Sequence, residues 1–201
     1  MTKSLRSLVL IGVAASFGAC ASGSRAVAPP MSPDEMTKKA TELATPSAGH
    51  QRLEAMVGRF DAVGQFWMEP DAPPVTSAGV SNNEWVLGGR YLRTDYSADF
   101  MGSPFNGIGL LGFNNATHTY ESTWMDTMST AIMPIGVGTA DASGKAITLR
   151  RAFPDPVTGE VSQMREVFVI QDRDHHVLDS WATGADGKEN HMMRIVYTRA
   201  K

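Results

Sequence analysis

The feature that most constrains this chain is alternation. From Arg90 to Phe100, Leu92, Thr94, Tyr96, Ala98 and Phe100 fall on one parity, and Arg93, Asp95, Ser97 and Asp99 on the other. Successive side chains of a strand point to opposite faces, so the pattern predicts a strand with one apolar and one wet face. His118 to Met128 sorts the same way, with Tyr120, Ser122, Trp124, Asp126 and Met128 set against Thr119, Glu121, Thr123 and Thr127. Between them Gly107, Gly109 and Gly112 punctuate an apolar run. Glycine there marks curvature or close backbone approach. Asn114-Asn115 then supplies residues that tolerate turn geometry.

The same reading extends over most of the chain. It predicts strands at Arg59–Glu69, Ser77–Leu87, Arg90–Phe100, Phe105–Phe113 and His118–Met128. Five more follow at Ala131–Thr139, Ala146–Phe153, Val161–Gln171, His176–Thr183 and Asn190–Thr198. Pro70-Asp71, Gly88-Gly89, Gly102-Ser103-Pro104, Ala142-Ser143-Gly144 and Asp172-Arg173-Asp174 mark turns between them. About ten short strands without intervening helices form a sheet that must close or stack, and closure removes its edges. The expectation is an all-β, antiparallel up-and-down barrel over residues 58–201, with a sandwich as the alternative. A helical segment over 34–57 precedes it. Ser32-Pro33-Asp34-Glu35 supplies a cap, a proline at the first helical position and early acids. A second short helix over Ala48–Met56 would bury Leu53 and Met56.

The chain opens MTKSLRS, continues LVLIGVAASFGA and reaches Cys20. A basic start, a short apolar run and small residues are the parts of a secretory signal over 1–19, and the run is too short for a spanning helix. Cys20 is the only cysteine, and its setting resembles a bacterial lipobox, with Phe17 where leucine is usual. That implies acylation of Cys20, a membrane anchor made of lipid, and a flexible tether over 20–33. Ala21 and Ser22 carry no acidic retention signal, which points to an outer-membrane lipoprotein facing the periplasm. A plain cleaved signal with an incidental cysteine is the alternative. The net charge of −3 is spread without runs, so no nucleic-acid surface is indicated.

Several pieces resemble the bacterial DUF1579 family. They are His50, Leu53 and Gly58-Arg59-Phe60, then VLGGRYL at 86–92, MGSPFNG at 101–107, WMDTMS at 124–129, and Gly136. Phe60 stands where the family tends to have tryptophan, and Asn106 where it tends to have glutamate. The resemblance covers roughly residues 48–198 and implies a lipocalin-like, calycin-type barrel. It brings no catalytic residues with it. Calycin barrels place an arginine from the end of the last strand under the aromatic of a first-strand G-x-W. Here Gly58-Arg59-Phe60 with Arg194 or Arg199 would take those parts.

The run GIGLLG at 107–112 spells a dinucleotide fingerprint, but a turn and another strand follow it rather than a helix, so it is a decoy. Parity instead points Arg90, Tyr96, Ser122, Trp124 and Asp126 into the barrel as a ligand-binding set for a small molecule. Arg90 would grip a carboxylate there, or simply pair with Asp126, or lie at the barrel rim in water. Asp126 and Glu84 are candidates for an acid/base pair. The histidines form no zinc-binding spacing. His191, on the last strand, is the one candidate haem ligand, on the precedent of nitrobindin-like barrels; otherwise no cofactor is indicated. Three readings stay open. They are a membrane-anchored binding protein for a small apolar or amphipathic ligand, an isomerase or hydrolase using Asp126, Tyr96 and Arg90, and a structural envelope lipoprotein.

Overall fold

The computed structural model describes residues 31–154, 159–184 and 187–201. The signal, Cys20 and most of the tether lie outside the described residues. The strands are β1 (Gly58–Phe66), β2 (Val75–Val86), β3 (Tyr91–Phe100), β4 (Ser103–Asn114) and β5 (Thr119–Asp126). They continue with β6 (Gly136–Ala140), β7 (Ala146–Pro154), β8 (Val161–Ile170), β9 (His175–Thr183) and β10 (Glu189–Arg199). Each pairs antiparallel with the next in sequence, and β1 closes on β10 from Phe60↔Arg199 to Phe66↔Met193. The result is a closed ten-stranded up-and-down barrel, as the alternation predicts.

Parity assigns the walls. Leu92 and Tyr96 on β3, Tyr120 and Ser122 on β5, and Ile147 and Leu149 on β7 are buried inside. The strand expected over 131–139 is shorter and later, at Gly136–Ala140. The residues before it form a loop, pinned where Met133 N donates to Trp124 O (2.8 Å) and Thr123 Oγ1 to Met133 O (2.5 Å).

Helix α1 (Pro33–Ala44) starts in a capping box, Ser32 Oγ accepting from Glu35 N while the Glu35 carboxylate accepts from Ser32 N. It buries no residue. Helix α2 (Ala48–Gln51) and the 3-10 turn Arg52–Met56 plug one end of the barrel, driving Leu53 and Met56 into a cluster with Leu92, Leu111, Tyr120, Ile147 and Leu149. Burying a leucine this completely stabilises by about 1.5–3 kcal/mol. Side chains of the barrel satisfy the plug's backbone. Asn83 Nδ2 donates to Met56 O (2.8 Å), Tyr120 Oη to Gly49 O (3.1 Å), and Arg199 to Val57 O and Ala55 O (2.9 and 3.0 Å).

Arg199 also lies 4.5 Å from the Phe60 ring centroid, so it is this arginine that covers the first-strand aromatic. Arg194 has the opposite parity and reaches Asp179 on the outer wall (3.4 Å). His176 is packed beside Phe60, stacked on Tyr197 with centroids 4.3 Å apart.

Candidate functional site

A cavity of about 410 Å³ occupies the barrel beyond the plug. Its floor is Met56 and Leu92, and its walls carry Tyr96, Phe105, Trp124 and Phe168. Methionines line it from the walls (Met164, Met193) and from the loops at the far end (Met68, Met128, Met133). Met68 and Met128 are 63% and 69% exposed, so the lining runs out to solvent at the end opposite the plug.

Trp124 is held by its neighbours on three sides. Its indole lies over Gly107 and Gly109, where a Cβ on Gly107 would sit 2.1 Å from the ring. The first two glycines of the GIGLLG run are therefore the gap that admits an indole, which is the close approach read from the sequence. The indole N–H donates to Asp126 Oδ2 at 2.8 Å, and Asp126 Oδ1 accepts from Met128 N at 2.9 Å. Tyr96 meets Trp124 edge-on, with centroids 6.3 Å apart. The Tyr96 hydroxyl is buried with no partner among the described residues, and burial raises its pKa.

The polar centre of the cavity is Arg151. Its side chain is 2% exposed and is paired with Glu166, itself 12% exposed. Nη2 also donates to Ser122 Oγ (2.7 Å) and Nη1 to Pro134 O (3.0 Å). Gly136 makes room for the guanidinium, since a Cβ there would stand 2.8 Å from Nη2. A buried ion pair persists where further hydrogen bonds complete its geometry, and Ser122 and Pro134 supply them.

Four of the expected site residues, Tyr96, Ser122, Trp124 and Asp126, thus line one cavity. Arg90 does not. It precedes β3 in the turn at the plugged end, is exposed, and donates to Leu87 O (3.0 Å) and Gly88 O (3.4 Å) of its own turn. Strand parity does not extend into that turn, so the side chain leaves the barrel. It makes no pair with Asp126, whose carboxylate is engaged by Trp124 and Met128. Glu84 is exposed on the outer wall, so the two carboxyls do not assemble.

His191 also lies outside the barrel, against the sequence expectation. A β-bulge between His191 and Met193 inverts the parity of β10, turning His191 outward. There the ring is stacked between Trp67 and Trp181 (4.3 and 4.9 Å) and its Nε2 lies 2.9 Å from Asp179 Oδ1. It offers no nitrogen to a haem inside the barrel. Arg151 and Glu166 are the residues the sequence reading missed. The signal was present, because Arg151 shares parity with Ile147 and Leu149, and Glu166 with Phe168 and Ile170.

A sequence model described as a protein of unknown function (DUF1579) matches residues 45–199. A comparison with curated proteins found no match. Among solved structures, the chain is similar to Rv2717c from M. tuberculosis, with a TM-score of 0.57 and 16% identity, covering 78% of this chain and 100% of that one. It is also similar to the S-type phycobiliprotein lyase CPES from Guillardia theta, with a TM-score of 0.53 and 12% identity, covering 78% of this chain and 99% of that one. At these identities the likeness is one of fold.

Proposed function

This chain belongs to the DUF1579 family, and we propose that it is a binding protein whose barrel holds a small apolar or amphipathic molecule. The observation that carries this reading is the cavity of about 410 Å³, lined by aromatic and methionine side chains and continuous with exposed Met68 and Met128. A concave apolar site with a few fixed polar groups is the form small-molecule sites take, and its volume lies in their usual range. Methionines adapt to irregular ligand shapes. In this reading the chain is a carrier or a presenter, and Asp126 serves to fix the Trp124 indole and the Met128 amide at the cavity wall. Acylation of Cys20 would tie the barrel to the bacterial envelope.

The test is native mass spectrometry of the protein purified from its own cell envelope. The expected spectrum shows a co-purified small molecule, lost in Trp124→Ala, and a chain mass carrying acyl groups at Cys20. Envelope-derived protein with no bound mass in the wild type would overturn the binding reading.

A further inference from the structure

We propose that the molecule held in this cavity carries no negative charge, an inference that rests on the binding reading and narrows it. Three charged side chains line the cavity, Asp126, Arg151 and Glu166. Each is already engaged by the protein. Arg151 is shared among Glu166, Ser122 Oγ at 2.7 Å and Pro134 O at 3.0 Å. Asp126 accepts from the Trp124 indole at 2.8 Å and from Met128 N at 2.9 Å.

A ligand carboxylate entering this space must shed its water and find a cation. The cation present is bound to Glu166, and drawing it away leaves that carboxylate buried without a partner. The exchange of one ion pair for another gives no net gain, while the desolvation remains. The lining also carries two carboxylates against one guanidinium, so an incoming anion is repelled. An ammonium meets no such repulsion, because Asp126 is held by two neutral donors and keeps its charge. A ligand without negative charge avoids the repulsion and the broken ion pair, and keeps the hydrophobic gain of its apolar body.

A polar atom of the lining sharpens the class. The Tyr96 hydroxyl is buried with no partner among the described residues, and it can donate a hydrogen bond. The complement is an acceptor without charge, such as a carbonyl or hydroxyl oxygen on an aliphatic or aromatic body.

Titration of the full chain with decanol, decanoate and decylamine near neutral pH, followed by tryptophan fluorescence, separates the cases. Decanol is expected to bind at least about ten-fold more tightly than decanoate, and decylamine also more tightly than decanoate. Decanoate binding as well as decanol or decylamine would overturn this inference and leave the binding reading intact. No binding by any of the three counts against the binding reading itself. Glu166→Gln leaves the Arg151 charge uncompensated and is expected to raise the affinity for decanoate about ten-fold. The wild-type discrimination stands as the test if that variant does not fold.

Discussion

At the plugged end of the barrel, Leu53 is fully buried, Phe60 lies beneath Arg199, and the backbone of the plug is bonded to Asn83, Tyr120 and Arg199. At the far end, loops present Met68 and Met128, each more than half exposed, around a space that the walls leave unfilled. One strand can serve both purposes. Between Tyr120 and Asp126, β5 passes from a core position bonded to the plug to a cavity position bonded to an indole. Dense packing and committed polar groups at one end supply stability, which leaves the other end free to stay loosely filled.

The largest expected effect that would break this contrast comes from truncating each end. Leu53→Ala is expected to lower unfolding free energy by about 2–5 kcal/mol. Met128→Ala, at an exposed site, is expected to stay within about 0.5 kcal/mol. Urea denaturation measures both, and equal costs would show that the two ends do not differ.

Acid sharpens the comparison. Burial first, and the charge of Arg199 second, push the His176 pKa down to about 4. The unfolded chain takes up a proton near the ordinary histidine value of about 6.5, whereas the folded chain resists until about pH 4. This group's penalty is therefore absent above that upper value and grows as pH falls through the window, to about 3 kcal/mol when complete. His50, in the plug, is shifted the same way by burial and then by Arg90. His176→Phe, which keeps an aromatic ring against Tyr197, is expected to flatten the loss of the urea midpoint between neutral pH and pH near 4.

A small effect is expected in the cavity. Tyr96→Phe removes a hydroxyl that has no partner among the described residues, so stability is expected to hold or rise within about 1 kcal/mol. Thermal melts of the two proteins measure it, and a clear loss would mean that the hydroxyl is satisfied in solution.

Much of this was legible in the sequence. Alternation over β3 and β5 named Tyr96, Ser122, Trp124 and Asp126 as inward-facing, and all four line the cavity. Gly107 and Gly109 announced a close approach without saying that an indole was approaching. Arg150-Arg151 reads on its own as a solvated pair, and Glu166 lies on a different strand. Only the β7–β8 register, with Leu149 opposite Glu166 and Arg151 opposite Met164, brings the two charges together. Arg90 was misplaced because a turn carries no parity, and His191 because one extra residue in β10 reversed it.

What the sequence determined by itself is the two-sidedness of each strand and the places where strands end, because both are decided by neighbouring residues and the geometry of one extended backbone. Which side chains meet inside, which charges cancel and which ring is turned outward were decided only when the sheet closed. Register and bulges couple residues far apart in the chain, and no local pattern carries that coupling.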